Sequence, residues 1–370
     1  MSGRVPAGLF NGAFAGRRVL VTGHTGFKGS WLTRWLLDLG ADVTGYALEP
    51  ATSPSLFDEL GLQSEIAHVI ADVRDRDRLR AEMIAARPEF VFHLAAQPLV
   101  RLSYEQPVET YATNVMGTVH LLEAVRSVPS VGVVVNVTSD KCYENRETGQ
   151  SYVEEDPMGG FDPYSSTKGC SELVTASYRR SFFGEGSAVA LASARAGNVI
   201  GGGDWACDRI VPDCVRALAA GEPIFVRNPD AVRPWQHVLE PLSGYLWLAA
   251  RMSAGAHVFD GPWNFGPEPG DDWPVRSVVE ELIAAWGGGS WTAPPAGARQ
   301  LHEATLLNLD ITKARRELGW RPVYDVRHAI RATAGWYGTR HHDPSSAPGR
   351  TASDIAEYEA AARDAGVPWA

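Results

Sequence analysis

The stretch RVLVTGHTGFKG, Arg18 to Gly29, decides the fold. Five mostly β-branched or apolar residues run into glycines at 23, 26 and 29, and the helical pattern SWLTRWLLDLG follows directly. A buried strand that breaks at a glycine turn and restarts as a helix is the opening unit of a nucleotide-binding α/β sheet. Glycine lets the backbone turn tightly and come close to a pyrophosphate, while the free N–H groups and dipole of the helix attract the anion. The spacing here is GxxGxxG, not the GxGxxG of many dehydrogenases.

Working outward, Asp42–Tyr46 reads as a second strand. His68–Ala71, ending in Asp72-Val73, reads as a third, and Phe90–Leu94, ending in Ala95-Ala96-Gln97, as a fourth. A long amphipathic stretch from Pro107 to Ser127 leads to the apolar run Val131–Val135, and Ala188–Ala194 is one more buried strand. Strands alternating with helices predict an α/β fold, a Rossmann-type doubly wound parallel sheet. Beyond residue 194 Trp, Pro and Gly become denser and the alternation breaks. The expected organisation is a dinucleotide-binding domain over 1–194, with parts of 226–260 returning to it. A smaller mixed substrate-binding lobe over 195–340 and a polar C-terminal tail over 341–370, peripheral or partly disordered, complete it.

The 370 residues are 45% hydrophobic and 21% charged, with a net charge of −10. That balance is globular, and an acidic surface argues against nucleic acid or an anionic membrane as the main partner. No apolar run approaches the roughly 20 residues of a membrane span. Four cysteines without CxxC pairing suit a reduced, cytoplasmic setting, and no metal is expected.

The run before residue 136 ends in an unusual way, in NVTSDKCYEN, with Ser139, Asp140 and Lys141 side by side. Asp162-Pro163 then opens a predicted helix as cap and first residue. It places Tyr164 and Lys168 one turn apart on the same face. A free tyrosine, with a pKa of about 10, is a poor base at neutral pH, but an adjacent ammonium favours its phenolate. In the extended short-chain dehydrogenase/reductase superfamily, which the GxxGxxG spacing resembles, a set like Ser139, Tyr164 and Lys168 oxidises or reduces a carbinol at a nicotinamide. Asp140 and Lys141 go beyond that need. Eliminating water requires one group to protonate a leaving hydroxyl and another to remove a proton beside a ketone. The second strand ends in Gly45-Tyr46-Ala47-Leu48, without the acidic residue that binds an adenosine ribose. Lys28 would even suit a ribose phosphate, so residues alone leave NAD and NADP both open.

The glycine spacing resembles the extended short-chain dehydrogenase/reductase superfamily. GHTGFKGSWL (23–32), AAQPLVRLSY (95–104), TSDKCYEN (138–145), GGFDPYSSTKG (159–169) and ARAGNVIGGGDWA (194–206) resemble the CDP-D-glucose 4,6-dehydratases within it. The resemblance covers most of residues 17–325. Related dTDP- and GDP-sugar dehydratases carry Asp-Glu where this chain has Asp140-Lys141. The resemblance implies CDP-glucose as substrate and tightly held NAD as cofactor. The cofactor would be bound by Gly23, Thr25, Gly26, Phe27, Lys28, Gly29, Asp72, Val73, Ala95, Ala96, Gln97 and Asn114, with Tyr164 and Lys168. It implies Arg101, Asn198, Asp204, Trp205, Arg209, Arg233 and His302 on the substrate side. Tyr164 would deprotonate the C4 hydroxyl, Lys141 would take the C5 proton and Asp140 would expel the C6 hydroxyl as water. A homodimer through a four-helix bundle, built from 107–127 and 164–183, is likewise implied. The rival readings are an epimerase or reductase using Tyr164 and Lys168 alone, and a catalytically silent NAD sensor.

Overall fold

The apolar runs become seven parallel strands of one sheet in the structure, a computed structural model describing residues 8–146, 149–255, 257–294 and 307–370. They are β1 (Arg18–Thr22), β2 (Asp42–Ala47), β3 (Ala67–Ile70), β4 (Phe90–His93), β5 (Val133–Val137), β6 (Ala190–Arg195) and β7 (Gly261–Asn264). Their order is β7-β6-β5-β4-β1-β2-β3, with every neighbouring pair parallel. Successive side chains point to opposite faces, so Val19 and Val21 enter one apolar layer while Leu20 enters the other. Both faces are covered, which is why β5 is buried at every position. The order reverses between β1 and β4, and the carboxyl ends of the strands there form the crevice where such sheets hold ligands.

Helices α1 (Phe27–Asp38) and α2 (Arg76–Ala86) follow β1 and β3. Helix α3 is not the uninterrupted helix expected over 107–127. Pro107–Tyr111 and Gly117–Val125 are joined through a π-helical turn, Ala112–Met116. The wide turn carries Asn114, whose side chain accepts from the Gln97 N–H at 2.8 Å and donates to the Thr167 hydroxyl at 2.9 Å. Such turns concentrate at functional sites. Helix α4 (Pro163–Ser181) starts where the sequence indicated: Pro163 is its first residue, and the Asp162 carboxylate accepts the Ser165 N–H at 2.9 Å.

The remaining helices are α5 (Ile210–Ala220), α6 (Leu239–Ala254), α7 (Val275–Trp286), α8 (Val326–His342) and α9 (Ala347–Ala365). Helix α6 packs back against β5 and β6, and the strand after it joins the sheet edge as β7. The chain that returns to the sheet therefore reaches Asn264, beyond the 226–260 expected.

The segment 341–370 is not a loose tail. Ile355, Tyr358 and Ala362 share one buried face of α9, and Trp369 is only 1% exposed. Its ring stacks on Phe10 at 5.1 Å and on Tyr358 at 5.7 Å, and its carbonyl accepts the Phe10 N–H at 2.7 Å. Tyr358 in turn donates to the buried Glu240 carboxylate of α6 at 2.8 Å. Polar residues on the outer face of α9 hid this apolar stripe in the composition. Trp369→Ala is expected to cost about 3–5 kcal/mol in urea unfolding, the usual loss for a buried large aromatic. A peripheral tail would lose almost nothing.

Candidate active site

β5 ends at Val137, and the next residues turn across the crevice. Ser139 caps a short 3₁₀ turn, Asp140–Cys142, by accepting the Lys141 N–H at 3.2 Å and donating to Asp140 Oδ1 at 2.9 Å. Asp140 is 2% exposed, and its Oδ2 has no hydrogen-bond partner among the described residues. It fits only because residue 197 is glycine, where a Cβ would lie 1.8 Å from that oxygen. Tyr164 and Lys168 project from α4 towards the same place. The Lys168 ammonium lies 6.0 Å from the Tyr164 ring centre and donates to the Val137 carbonyl at 3.4 Å. Burial pushes the Tyr164 phenol up to about 12, which the Ser139 hydroxyl partly offsets. Burial also pulls the Lys168 ammonium down to about 8.

One further turn along α4 stands Glu172, a residue not singled out in the sequence. It is buried with Arg195 from the end of β6, Oε2 to Nη2 at 2.8 Å. Thr138 donates to Glu172 Oε1, and the Ser193 hydroxyl donates to Oε2 at 2.7 Å. Arg195 also donates to the Tyr143 hydroxyl at 2.6 Å, and Tyr143 donates to Asn264, the last residue of β7, at 2.7 Å. The ends of β5, β6 and β7 are thereby fixed to one another beneath Ser139. Burial alone would raise the Glu172 carboxyl, but the guanidinium outweighs it and holds the group below the usual range. The only sequence signal was the acidic residue four positions after Lys168 on the same helical face.

A cleft of about 490 Å³ opens above this floor. Lys28, Arg101, Ser139, Asp140, Lys141, Tyr164, Asn198, Asp204, Arg209 and Arg233 all line it. Arg209 pairs with Asp204 at 2.8 Å, and Arg101 with Asp208 at 3.2 Å. Trp205 stands apart from these residues: it packs edge to face with Tyr337 at 5.2 Å, and the Arg340 guanidinium covers its face at 4.8 Å. Trp235 does reach the cleft wall, with its N–H donating to the Trp273 carbonyl at 3.1 Å. His302 lies outside the described residues.

Beside the cleft, which Phe27 and Lys28 help to line, the glycine turn is shaped for close approach. Gly23 has φ +76°, and a Cβ there would come 2.7 Å from the Ala95 backbone nitrogen. No side chain caps the first turn of α1, which leaves its leading N–H groups for an anion. Thr25 donates to the Leu48 carbonyl at 2.8 Å and ties the turn to the end of β2. Asp72 is paired with Arg74 at 2.6 Å, and its carbonyl accepts the Tyr46 hydroxyl at 2.9 Å. Lys28 faces the cleft and so does not supply the cation that would favour a ribose phosphate at β2. Among the described residues no group of His, Cys, Asp or Glu could hold a metal, and no helix is long and apolar enough to cross a membrane.

The parallel sheet, the glycine turn and the convergence of Ser139, Tyr164 and Lys168 define an extended short-chain dehydrogenase/reductase. Comparison with known proteins narrows this. The family model described as GDP-mannose 4,6 dehydratase matches residues 20–333, and the chain belongs to that family of nucleotide-sugar 4,6-dehydratases. The chain is 52% identical to the CDP-glucose 4,6-dehydratase of Salmonella typhimurium over 327 residues, 87% of this chain and 90% of that one. It is 30% identical to a dTDP-glucose 4,6-dehydratase of Streptomyces antibioticus, across 86% of this chain and 92% of that one. Among solved structures, DesIV, the dTDP-glucose 4,6-dehydratase of Streptomyces venezuelae with NAD and TYD bound, superimposes with a TM-score of 0.71. Identity there is 26%, over 89% of this chain and 99% of that one.

Glu172→Gln leaves the Arg195 guanidinium buried without its counter-charge. The expected cost is about 3–5 kcal/mol in urea unfolding. The change should fall to a small residue in the double variant Glu172→Gln/Arg195→Met, which removes both charges.

Proposed function

We propose that this protein is a CDP-glucose 4,6-dehydratase, converting CDP-D-glucose to CDP-4-keto-6-deoxy-D-glucose and water with bound NAD, as a step of deoxysugar synthesis. The observation that carries the reading is the joint lining of one cleft by Ser139, Asp140, Lys141 and Tyr164. The 52% identical relative supports the choice of CDP-glucose. Redox chemistry alone, as in an epimerase, has no use for a buried carboxyl group and an amine beside the serine, which in elimination act as acid and, in its neutral form, as base.

Gly23, Thr25, Gly26, Phe27 and Gly29 would hold the pyrophosphate of NAD, with Asp72, Val73, Ala95, Ala96, Gln97 and Asn114 around its adenosine and ribose. Held there, NAD would supply a reversible hydride acceptor for C4 and C6, so that the net reaction needs no external oxidant. The chain's own residues move the protons. The Ser139 hydroxyl holds the C4 oxygen and Tyr164 takes its proton, its phenolate favoured by Lys168. The C4 ketone acidifies the neighbouring C–H, and Lys141 removes the C5 proton. Asp140 gives a proton to the C6 hydroxyl, which leaves as water. Its unpartnered Oδ2 suits that role, because a buried oxygen without a partner gains most from a proton or a donor. Arg209 and Arg233 suit the substrate diphosphate, whose oxygens match a planar guanidinium.

The test is incubation with CDP-, dTDP-, UDP- and GDP-glucose in D₂O, followed by mass spectrometry. The expected product has lost water, carries one deuterium at C5 and forms fastest from CDP-glucose. Unchanged mass across the panel overturns the reading. Lys141→Met should slow C5 exchange by about 100-fold or more, the usual worth of a positioned base.

We also propose a homodimer in the cytoplasm. Val108 on α3 and Leu173 on α4 are 73% and 59% exposed, with Tyr111, Met116 and Phe182 also open on these helices. A bundle of α3 and α4 with the same pair from a second copy would cover them. Leu173→Glu should shift the sedimentation mass from that of a dimer to the 40.1 kDa chain.

A further inference from the structure

We propose that Lys28 is a substrate-binding residue whose ammonium holds the sugar-side phosphate of the nucleotide diphosphate. This rests on the nucleotide-sugar reading above and changes the role of a residue in the cofactor loop. Lys28 is the second residue of α1, where a cation would ordinarily be assigned to the dinucleotide. Its side chain instead lines the cleft shared by Asp140, Tyr164 and Arg209.

Three observations support the assignment. First, among the described residues the Lys28 ammonium has no hydrogen-bond or ion-pair partner, although burial and the nearby Arg209 and Lys168 disfavour its charge and pull it down to about 8. Second, of the two carboxylates that act on it, Asp204 is already engaged, while Asp140 keeps only Oδ2 unpartnered among the described residues. Asp204 pairs with Arg209 at 2.8 Å and accepts the Ala206 N–H at 3.2 Å, while Asp140 accepts from Ser139 at 2.9 Å. Of the charged side chains lining the cleft, six cations (Lys28, Arg101, Lys141, Arg209, Arg227 and Arg233) face five acids (Glu105, Asp140, Asp204, Asp208 and Asp213), so the cleft is slightly cationic in a chain of net charge −10. A cleft with surplus positive charge favours a polyanion, and a sugar nucleotide brings two charged phosphates. Third, Lys28 lines the same cleft as Asp140 and Arg209. Asp140 marks the sugar end, and Arg209, assigned above to the diphosphate, marks the side away from the sugar. The group between them in the substrate is the phosphate attached to the sugar.

The experiment is calorimetric titration of the NAD-loaded protein and its Lys28→Met and Lys28→Arg variants with CDP, CMP and cytidine. NAD affinity and thermal melting are measured in parallel. Lys28→Met should weaken CDP about 10- to 100-fold, as loss of a charge-assisted hydrogen bond to phosphate does, and leave cytidine unchanged. The ratio of CDP to CMP affinity should shrink accordingly. Lys28→Arg should keep most of that ratio, and NAD affinity should not fall in either variant. An unchanged ratio in Lys28→Met, or weaker NAD binding with CDP unaffected, overturns the assignment and returns Lys28 to the cofactor. If wild-type protein binds UDP, dTDP or GDP in place of CDP, the choice of base fails. The Lys28 comparison is then decided on the diphosphate that binds and its monophosphate. Failure to bind any nucleoside diphosphate overturns both readings.

Discussion

A carboxylate and a guanidinium meet at the carboxyl end of the sheet with almost no water around either, and the active site is built on that contact. Glu172 comes from α4, the helix that also carries Tyr164 and Lys168; Arg195 is the last residue of β6. Their pairing sets the height of α4 above the sheet and hence the position of Tyr164 over Ser139. Two charges buried together gain little net stability over a well-packed apolar pair. What they supply here is direction. The hydroxyls of Thr138, Ser193 and Tyr143 and the Glu154 carbonyl engage most of the remaining polar atoms, leaving Arg195 Nε without a partner among the described residues, so the neighbouring strand ends are tied to one buried pair.

That rigidity matters because the groups above it are held in environments that disfavour their working forms. The Tyr164 phenol is pushed up by burial and the Lys168 ammonium is pulled down by it. A cationic nicotinamide and an anionic substrate would each offset part of these penalties. Ionisation of the site is thus coupled to occupancy, and the chemistry is favoured only when cofactor and substrate are both in place.

Much of this was legible in the sequence, because the relevant signals are local. A β-branched run before glycines at 23, 26 and 29 fixes the first βα unit. Asp162-Pro163 fixes the start of α4, and with it the shared face of Tyr164 and Lys168. Ser139, Asp140 and Lys141 were readable as chemistry because three polar groups have no structural reason to end a buried strand. What was not legible depends on contacts between distant segments. Arg195 looked like any charge at a strand end until its partner, 23 residues earlier, was seen beside it. Trp205 was placed on the substrate side by resemblance alone, and its contact with Arg340, far along the chain, could not be read from its neighbours in sequence. Gly197 had no visible purpose before the Asp140 carboxylate was placed against it. The segment after 341 looked dispensable by composition, since an alanine-rich helix buries a narrow stripe that averages out as polar.

The stack of Trp369 on Phe10 also bears on when the fold can be completed. Trp369 lies 6.1 Å from Trp35, so the last residues of the chain help to close the core around the helix that follows the glycine turn. Residues far apart in sequence thus share one aromatic cluster, and contacts of such long sequence separation carry a loop-closure cost that local ones do not. The first βα unit is local in its own contacts, yet its outer face is sealed only once α9 and Trp369 have docked on it.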